Sequence, residues 1–429
     1  MTILHEDLAN VDVASPAVYE RDVPHEQLAA LRAHDPVHWH PWPGKGDGFW
    51  LLSKHADVVV AGKDTATYSS GVGHISLEDR EPDALEVRRS LIETDPPAHT
   101  RLRKIVSSAF TPKKVREYEE YTREIAGQLL DRALAAKEFD FVTMISEPLP
   151  IQVIVSILGV PAQDADLMIE LSSELAAATD PDHVHDPDRY PNVVDPRLLP
   201  FGSPAAWEIF EYGRRIGEER RQTPSDDLVS RLVHAEVDGE RLSDIEYCNF
   251  FQLFVFAGNE TTRSAISQGM LALMQNPGEL ERLYDDPSLV PSAVEEINRW
   301  ATPVIMFRRT ATRDTELRSV PIRAGDKVAL WYISANFDDE VFADPLRFDV
   351  ARTPNDQVSF GGGGAHFCLG AFLARLEIRV LLEEILAREV RFEQTSPHVR
   401  LRSNFLNGMK SMPVRAVPAR VGAGHARPG

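Results

Sequence analysis

The sequence predicts a mainly α-helical protein with small β-sheets, folded as a single domain. Most of the 429 residues have helical patterns, as in the stretch 112–136, where apolar residues recur between charged ones. Strand-like runs are short and scattered, at residues 48–52, at residues 327–333 and near both ends of the C-terminal third. Neither a fixed-period repeat nor a Gly/Ser linker divides the chain. These observations favour one large domain over two.

The charge balance excludes some classes of partner. Lys and Arg number 46 and Asp and Glu 66, so the formal net charge is −20. Most of the surface should therefore repel a phosphate backbone or an anionic membrane, and we expect neither nucleic acid nor membrane as a partner. The N-terminus has no apolar stretch of signal-peptide length. The longest apolar run in a helical context, residues 250–257, is far shorter than the roughly 20 residues that span a bilayer. We expect a cytoplasmic protein.

The two cysteines have separate explanations. With only Cys248 and Cys368 in the chain, a disulfide framework does not hold the fold. Cys248 lies among apolar residues near the start of a predicted long helix and is most simply a small buried side chain. Cys368 follows a glycine-rich segment and needs a chemical explanation.

Two stretches interrupt the helical pattern. Residues 69–97 lack strong periodicity, and residues 179–204 are crowded with Pro, Asp and His. Long irregular segments in a domain are often lids or binding loops, and plain surface excursions are about as common. Composition alone leaves both interpretations open.

A long helix is predicted to start at Ser243. Ser243 and Glu246 have capping-box spacing, in which each side chain accepts a hydrogen bond from an exposed backbone N–H. No proline follows until Pro277, so about 33 residues can be helical, a length of about 50 Å. Such a helix should cross the whole domain.

The centre of this helix has a locally weak point. Gly258 is followed by polar residues, and a glycine in mid-helix costs about 1 kcal/mol relative to alanine. One interpretation is that Gly258 tolerates a close neighbour. The other is a distortion that opens a groove where Glu260 and Thr261 face a bound ligand.

A glycine-rich loop at residues 359–370 is the second chemical signal. Residues 361–364 are four consecutive glycines, which let a backbone approach a flat object closely. Cys368 lies just before a helix start, where N–H groups and the helix dipole stabilise a thiolate that could bind iron. Phosphate binding lacks the Gly-Lys-Ser/Thr ending, and zinc would need more ligands than His366 and Cys368. A nucleophilic cysteine would need a distant base such as His99. The glycines favour a planar cofactor.

Together these residues resemble a soluble bacterial cytochrome P450, a haem-thiolate monooxygenase, over residues 16–418. The resemblance leaves residues 1–15 as an N-terminal tail, and residues 419–429 are expected to form a flexible C-terminal tail. Four motifs occur in the family's order: the oxygen-activation motif at 257–261, the Glu-x-x-Arg motif at Glu296 and Arg299, the segment 342–352 with its Arg352, and the haem-ligand loop 360–370. Any one motif is weak, whereas all four in order are highly specific.

The resemblance implies roles for these residues. Cys368 would be the axial thiolate ligand of the iron of haem b, within the loop that includes Phe360, Gly361 and Gly370. The haem propionates would be bound by His99, Arg103, Arg309 and His366. Thr261 and Glu260 would carry protons toward the bound oxygen, with Ala257 and Gly258 at the oxygen pocket. The residues Glu296, Arg299 and Arg352 would form a buried structural network behind the haem.

One spacing departs from the commonest version of the family's loop. Phe360 lies eight positions before Cys368 instead of seven, because of an additional glycine. This longer loop resembles that of actinobacterial members that hydroxylate steroid side chains and methyl-branched lipids. It leaves open whether Phe360 shields the sulfur.

The resemblance also implies substrates and partners. One oxygen atom of O2 would enter a C–H bond of a hydrophobic small molecule: a steroid, branched lipid, fatty acid or terpenoid. We expect residues 69–89 and 179–204 to shape the substrate site, together with Phe256, Ala257, Val304, Ile305 and Met306. Electrons would come from a separate ferredoxin and ferredoxin reductase, which would dock near the densest basic stretch: Arg101, Arg103, Lys104, Lys113, Lys114 and Arg116. The expected oligomeric state is a monomer. A peroxide-driven peroxygenase and a non-catalytic haem ligand-binding protein are the alternatives.

Overall fold

The computed structural model describes residues 8, 11–42, 48–180, 183–186, 189–190, 195–237 and 239–419. Of the two predicted tails, residues 1–7, 9–10 and 420–429 lie outside the described residues. The first helix begins at Pro16 and the last strand ends at Pro418. The described part of the chain is mainly helical with small sheets, which confirms the predicted fold class.

Sixteen α-helices occur within the described ranges. They are α1 (Pro16–Arg21), α2 (His25–His34), α3 (His55–Lys63), α4 (Pro82–Val87), α5 (Ala98–Ser107), α6 (Pro112–Glu117), α7 (Glu119–Ala135), α8 (Pro148–Leu158), α9 (Ala165–Ala177), α10 (Pro204–Gln222), α11 (Leu228–His234), α12 (Asp244–Gln275), α13 (Pro277–Asp285), α14 (Val290–Ala301), α15 (Tyr332–Ala335) and α16 (Ala371–Ala387). A π-helical turn, Val142–Ser146, leads into α8.

The strands of the described residues are short. They are β1 (Val37–His40), β2 (Phe49–Leu52), β3 (Tyr68–Ser69), β4 (Glu138–Asp140), β5 (Glu236–Val237), β6 (Glu240–Arg241), β7 (Phe307–Ala311), β8 (Thr315–Leu317), β9 (Val320–Ile322), β10 (Lys327–Leu330), β11 (Val390–Gln394), β12 (Val399–Arg400), β13 (Met409–Ser411) and β14 (Pro413–Pro418). The largest sheet has the order β1-β2-β10-β7-β3, and a second has the order β11-β14-β4. In the large sheet β10 runs parallel to β2 and antiparallel to β7.

The long helix α12 forms the centre of the fold. The predicted capping box is present, since Glu246 N–H donates to Ser243 Oγ at 3.2 Å and Ser243 N–H donates to Glu246 Oε2 at 2.8 Å. The helix is buried on most of its circumference and packs against α8, α9, α10, α14 and α16. Such all-round burial is typical of a helix in the core of a large domain.

Close contact between α10 and α12 depends on glycines. A Cβ atom at Gly213 would lie 2.8 Å from the ring of Phe251, and one at Gly217 would lie 2.6 Å from the ring of Tyr247. Tyr247 also donates its hydroxyl hydrogen to the backbone carbonyl of Gly213 at 2.7 Å. Bulky aromatic rings on α12 therefore occupy the space that side chains on α10 would need.

The amphipathic stretch 112–136 is helical, and it forms two helices because the chain leaves α-helical pairing at Tyr118, whose N–H bonds to Val115 three residues back. One local prediction is corrected by the structure. The strand expected over 327–333 ends at Leu330, because the N–H groups of Ser334 and Ala335 bond to the carbonyl of Trp331 and start α15. The strand expected at 48–52 is present as β2.

The irregular stretches contain short helical turns. Residues 69–97 include α4 and a 3₁₀ turn, Leu91–Glu93. The described part of residues 179–204 includes the 3₁₀ turns Pro196–Leu198 and Pro200–Gly202, while residues 181–182, 187–188 and 191–194 lie outside the description. Phe201 in the second turn contacts Phe256 of α12, with ring centroids 5.0 Å apart.

Candidate active site

A cavity of about 1450 Å³, its opening included, lies between α12 and the loop 359–370. Both regions singled out in the sequence line it: α12 contributes Ala257, Gly258 and Thr261, and the loop contributes Cys368. The wall is mostly apolar, and its apolar members include Leu91, Ile92, Phe110, Ile154, Leu253, Phe254, Val304 and Phe307. The fold thus brings together residues that are more than a hundred positions apart.

Cys368 is held by the backbone around it. Its N–H donates to the carbonyl of Phe360 at 2.9 Å, which closes the loop, and its side chain is accessible from the cavity. Burial raises the pKa of the Cys368 thiol, whereas the backbone N–H groups of Gly370 and Ala371 and the guanidinium of Arg103 act against this shift. These donors and charges would stabilise a thiolate once a cation binds the sulfur from the cavity.

The four consecutive glycines allow the backbone conformation of the loop. Residues 361–364 all have positive φ, from 68° to 103°, a region that side chains disfavour. Gly361 lines the cavity, as does Gly370 at the start of α16. A Cβ at Gly364 would instead lie 3.0 Å from the backbone of Gly62 and Lys63 at the end of α3. Three of the four glycines therefore let the loop pack against α3 and do not line the cavity.

Phe360 lines the cavity in spite of the extra glycine. Its side chain is almost fully buried, and the guanidinium of Arg375 lies 4.3 Å from its ring centroid. Arg375 is in turn paired with Glu295 on α14. The longer loop thus keeps the phenylalanine beside Cys368, held from behind by a cation.

Four basic groups converge on one side of the cavity without an anion. His99, Arg103, Arg309 and His366 all line it, and the ion pairs of the described residues include none of them. Arg103 and Arg309 donate to the backbone carbonyls of Phe367 and Arg308 at 2.6 Å and 2.9 Å.

The two histidine rings lie close together at a tilt of 47°, and their surroundings favour the neutral forms. Their ring centroids are 4.3 Å apart, and His99 Nδ1 and His366 Nε2 are buried without a hydrogen-bond partner. Burial and the neighbouring Arg309 lower the pKa of His366 to about 3, and burial and Arg103 lower that of His99. A planar group with two carboxylates would satisfy these nitrogens and the nearby cations, so the residues fit haem with its propionates.

On α12 the structure favours the interpretation of Gly258 as a point of close approach. The helix is continuous over Asp244–Gln275, so the expected distortion is not present as a break. A Cβ at Gly258 would lie 2.9 Å from Ile154 of α8, and Gly258 also lines the cavity. Thr261 donates its hydroxyl hydrogen to the carbonyl of Ala257 at 2.9 Å, and both residues line the cavity.

Glu260 does not face the cavity, which corrects the expectation from sequence. Its buried carboxylate lies 3.3 Å from Arg263, and Arg263 also lies 3.2 Å from Glu147. Asn259 donates to Glu260 at 3.1 Å. Burial raises the pKa of Glu260, while Arg263 opposes this shift. Glu260 and Arg263 line a second, polar pocket that also includes Lys410.

The expected substrate-contact residues divide into two groups. Ala257 and Val304 line the cavity, whereas Phe256, Ile305 and Met306 do not. Phe256 lies under Phe201, and the N–H of Ile305 bonds to a backbone carbonyl at residue 405. None of the described residues of 69–89 or 179–204 lines the cavity. Leu91 and Ile92, just beyond the first stretch, do so and were missed.

The network predicted around Glu296 is present. Arg299 donates from Nε and Nη2 to the two Glu296 oxygens at 2.8 Å, and both side chains are completely buried. Arg352 Nε lies 3.1 Å and 3.2 Å from the same carboxylate. Arg299 Nη1 donates to the carbonyls of Asn336 and Pro345. These bonds join α14 to the segment that precedes the loop 359–370.

Sequence reasoning also missed Glu377, on α16. Its carboxyl group lines the cavity, its Oε2 is buried without a hydrogen-bond partner, and burial raises its pKa well above the usual range. It lies in an apolar helical stretch, and its charge in that stretch is the only feature of the sequence that could have indicated a special role. Burial thus favours the protonated form of this carboxyl, which can hold a proton beside the cavity.

The basic stretch 101–116 presents fewer free charges than its sequence suggests. Arg101 pairs with Glu246 at 2.7 Å, Lys114 pairs with Glu117 at 2.8 Å, and Arg103 points inward. The exposed cations are Lys104, Lys113 and Arg116. Arg116 borders a shallow groove between α6 and α16 that includes Phe372, whose side chain is 45% exposed.

No helix among the described residues is long and apolar enough to cross a membrane.

Comparisons with known proteins agree on one family. The model of the family described as Cytochrome P450 matches residues 42–412. The chain is 43% identical over 402 residues to a methyl-branched lipid omega-hydroxylase of Mycobacterium tuberculosis, with 92% of this chain and 91% of the relative covered. It is 40% identical over 397 residues to a steroid C26-monooxygenase of Mycolicibacterium smegmatis, with 90% and 89% covered. A solved cytochrome P450 of Mycobacterium marinum in complex with pseudoionone has a TM-score of 0.84 at 37% identity and covers 94% of this chain and 98% of its own.

Proposed function

Because this chain belongs to the cytochrome P450 family and is a haem-dependent monooxygenase, we propose that it hydroxylates an aliphatic chain of a steroid or methyl-branched lipid. The observation that carries the proposal is the apolar cavity that both Cys368 and Thr261 line. Residues 16–418 form the catalytic domain in this proposal.

Haem would be held by cavity-lining groups that have no ion-pair partner among the described residues. The Cys368 thiolate would bind the iron, and Arg103, Arg309, His99 and His366 would bind the propionates. When bound, haem supplies the activation of O2 and the oxidation of the C–H bond. Phe360, behind Cys368, would exclude water from the sulfur and so maintain its electron-donating character.

Ligation by Cys368 is tested by the Soret band of the reduced, carbon-monoxide-bound protein. We expect the red-shifted band of a thiolate ligand in the wild type and its loss in Cys368→Ser. Cys248→Ser is the matched control: Cys248 lies outside the cavity, and burial raises the pKa of its thiol to about 11, so the band should stay. A thiolate band in Cys368→Ser would overturn the assignment.

Thr261 would deliver protons into the cavity. Its hydroxyl donates to the Ala257 carbonyl, so its oxygen can accept a proton, and its own proton would pass into the cavity once the hydroxyl turns away from that carbonyl. Glu260 would supply that proton after its carboxyl leaves Arg263, because its raised pKa favours the protonated form. Glu260 thus connects the polar pocket with the turn of α12 that carries Thr261.

Substrate is identified first by a spectral-shift titration of the ferric protein. Steroids, methyl-branched lipids, straight-chain fatty acids and terpenoids are compared, and the hydroxylated product is located by mass spectrometry. The apolar wall around Leu91, Phe254 and Val304 predicts binding of a long hydrocarbon, and the two relatives favour a steroid or branched lipid. If neither binds while a terpenoid does, the substrate class is wrong and the reaction class stands.

With that substrate, Thr261→Ala tests the proton path. We expect the fraction of O2 consumption that yields product to fall about tenfold, with the difference released as hydrogen peroxide. Thr262→Ala is the control, since Thr262 lines the same cavity on the same helix. Unchanged coupling in Thr261→Ala would remove Thr261 from the path.

For electrons, we propose a separate acidic ferredoxin that docks on the groove between α6 and α16. Arg116 and the exposed ring of Phe372 line this groove, and the exposed Lys113 follows Pro112 at its edge, so positive charge lies beside an apolar contact. Lys113→Glu and Arg116→Glu should raise the KM for ferredoxin and flatten its salt dependence. Arg214→Glu, on the exposed face of α10, should change neither. Equal effects at all three positions would place docking elsewhere.

A further inference from the structure

Three potential metal ligands meet outside the cavity, at the end of α9. Glu174 belongs to α9, and His183 and His185 belong to the irregular stretch that follows it. None of the three lines the cavity that contains Cys368. His183 also lines the polar pocket beside Glu260, but the proposed proton path assigns no role to any of the three side chains.

Their side chains converge on one carboxylate oxygen. His183 Nε2 lies 3.0 Å and His185 Nδ1 lies 2.9 Å from Glu174 Oε1. The two imidazole rings are nearly perpendicular, at 82°, with centroids 4.8 Å apart, and all three ligand atoms lie within 4.8 Å of one another. The side chains are 20–23% exposed, so the cluster is ordered by its surroundings yet reachable from solvent.

The backbone places both histidines on one side. Val184, between them, is 86% exposed, so the chain alternates outward and inward over these three residues. Asp180 is held by Lys410. The His-x-His spacing therefore directs two nitrogens at Glu174.

From this geometry we propose that Glu174, His183 and His185 bind a divalent transition metal, with zinc the ion that fits best. Two imidazole nitrogens and one carboxylate are a known zinc donor set, with ligand bonds of about 2.0–2.2 Å and a fourth position for water. Tetrahedral ligands at that distance lie about 3.3 Å apart, so the observed 2.9–3.0 Å separations need small outward shifts. Calcium and magnesium prefer oxygen ligands and fit two imidazoles poorly.

The metal would connect an irregular segment to the core. Residue 174 follows Ser172 and Ser173 on α9, which bond to Asn259 of α12 and to Glu147. A metal at Glu174 would thus fix residues 183–185 to a helix anchored on α12. It would act as a structural clamp on residues 183–185, and its coordination involves no residue of the cavity wall.

The first test measures zinc bound to the haem-loaded, tag-free full chain. After treatment with a chelator, the protein is dialysed against zinc, and zinc and iron are quantified together. We expect one zinc per iron in the wild type, and affinity weaker by about tenfold or more in His183→Asn, His185→Asn and Glu174→Gln. His234→Asn, an exposed histidine on α11, is the matched control and should bind like the wild type. Absence of bound zinc in the wild type, or equal affinity in all variants, would overturn the proposal.

The second test measures the clamp itself through limited trypsin digestion. Arg189 and Arg197 are exposed cleavage sites in the same stretch. Zinc should slow cleavage there about fivefold or more in the wild type and in His234→Asn, and should not slow it in His183→Asn. The carbon-monoxide spectrum of each variant verifies that the haem domain is folded. Equal slowing by zinc in His183→Asn would assign the effect to another site and refute the clamp.

Discussion

Replacing Arg299 by methionine should destabilise the protein more than replacing any other arginine of its network. The Arg299 guanidinium is completely buried and makes two bonds of 2.8 Å to Glu296 and two bonds of 2.9–3.0 Å to the carbonyls of Asn336 and Pro345. Methionine fills similar space and removes every donor. The carboxylate and both carbonyls then lose their partner inside the protein.

The size of the effect follows from what remains around Glu296. Removing one partner of a buried ion pair costs about 3–5 kcal/mol. Arg352 still lies 3.1 Å from the carboxylate, and the N–H of Asp349 donates to it at 3.0 Å, so this part should fall near the lower limit. Each buried carbonyl left without a donor adds about 1 kcal/mol or more. With two such carbonyls the sum is about 5 kcal/mol, a large part of the 5–15 kcal/mol typical of a folded protein.

The assay is urea denaturation of the haem-loaded protein, followed by circular dichroism and by the carbon-monoxide band. Arg282→Met is the matched control: Arg282 also pairs with a glutamate three residues earlier, Glu279 at 2.6 Å, but it is 40% exposed and should cost less than about 1 kcal/mol. Arg352→Met should lie between the two, because its other bonds are at the surface. The reasoning is refuted if Arg299→Met costs less than about 1 kcal/mol or no more than Arg282→Met.

Three further predictions concern the cavity and the helix contacts. Burial raises the folded-state pKa of Glu377 above its unfolded value of about 4.3, so the wild type loses stability as pH rises between the two pKa values, by up to about 1.4 kcal/mol per pH unit. Glu377→Gln should therefore be more stable than the wild type at pH 8, by a margin that shrinks toward pH 5 in thermal melts; a margin independent of pH would contradict this. Arg103→Gln and Arg309→Gln should each release haem to apomyoglobin about tenfold faster, because a charge-assisted bond to a propionate is lost, whereas Arg313→Gln, outside the cavity, should not; equal rates in all three would rule out propionate binding. Gly217→Ala should cost about 1–3 kcal/mol in denaturant melts, since its Cβ would lie 2.6 Å from Tyr247, while Gly278→Ala, with open space around it, should stay within about 0.5 kcal/mol; a neutral Gly217→Ala would disprove close packing of α10 on α12.

Local signals explain what the sequence could predict. The limits of α12 follow from a capping box at Ser243 and a proline at Pro277, and both act within a few residues of the chain. The loop with Cys368 is likewise a contiguous motif, and its glycines are required where the structure has positive φ. That Cys368 and Thr261 line the same cavity could be predicted only through the family resemblance, because no local pattern links residues so far apart in sequence.

The direction in which each side chain points, and the groups it contacts, could not be predicted from the sequence. Phe256 and Ala257 are neighbours on α12, yet successive side chains of a helix point about 100° apart, and only Ala257 lines the cavity. Ile305 lies beside Val304, but its N–H is bonded to another segment and its side chain is buried. The side of α12 that lines the cavity is determined by how α8, α12 and the loop 359–370 pack together. Glu377 was missed for the same reason: its carboxyl oxygen lacks a hydrogen-bond partner because of the residues packed around it, and sequence does not reveal these.

For Glu260, the difference between adjacency in sequence and side-chain direction has a chemical consequence. Sequence adjacency to Thr261 suggested that both residues face one ligand, whereas the structure has Thr261 on the cavity and Glu260 against Arg263 and Glu147. In the proposed proton path, Glu260 would have to leave Arg263 before each transfer. Burial and the nearby Glu147 raise the pKa of Glu260, and protonation weakens its pairing with Arg263. The proton to be delivered would therefore itself loosen the carboxyl that carries it, which would couple proton supply from the polar pocket to delivery at Thr261.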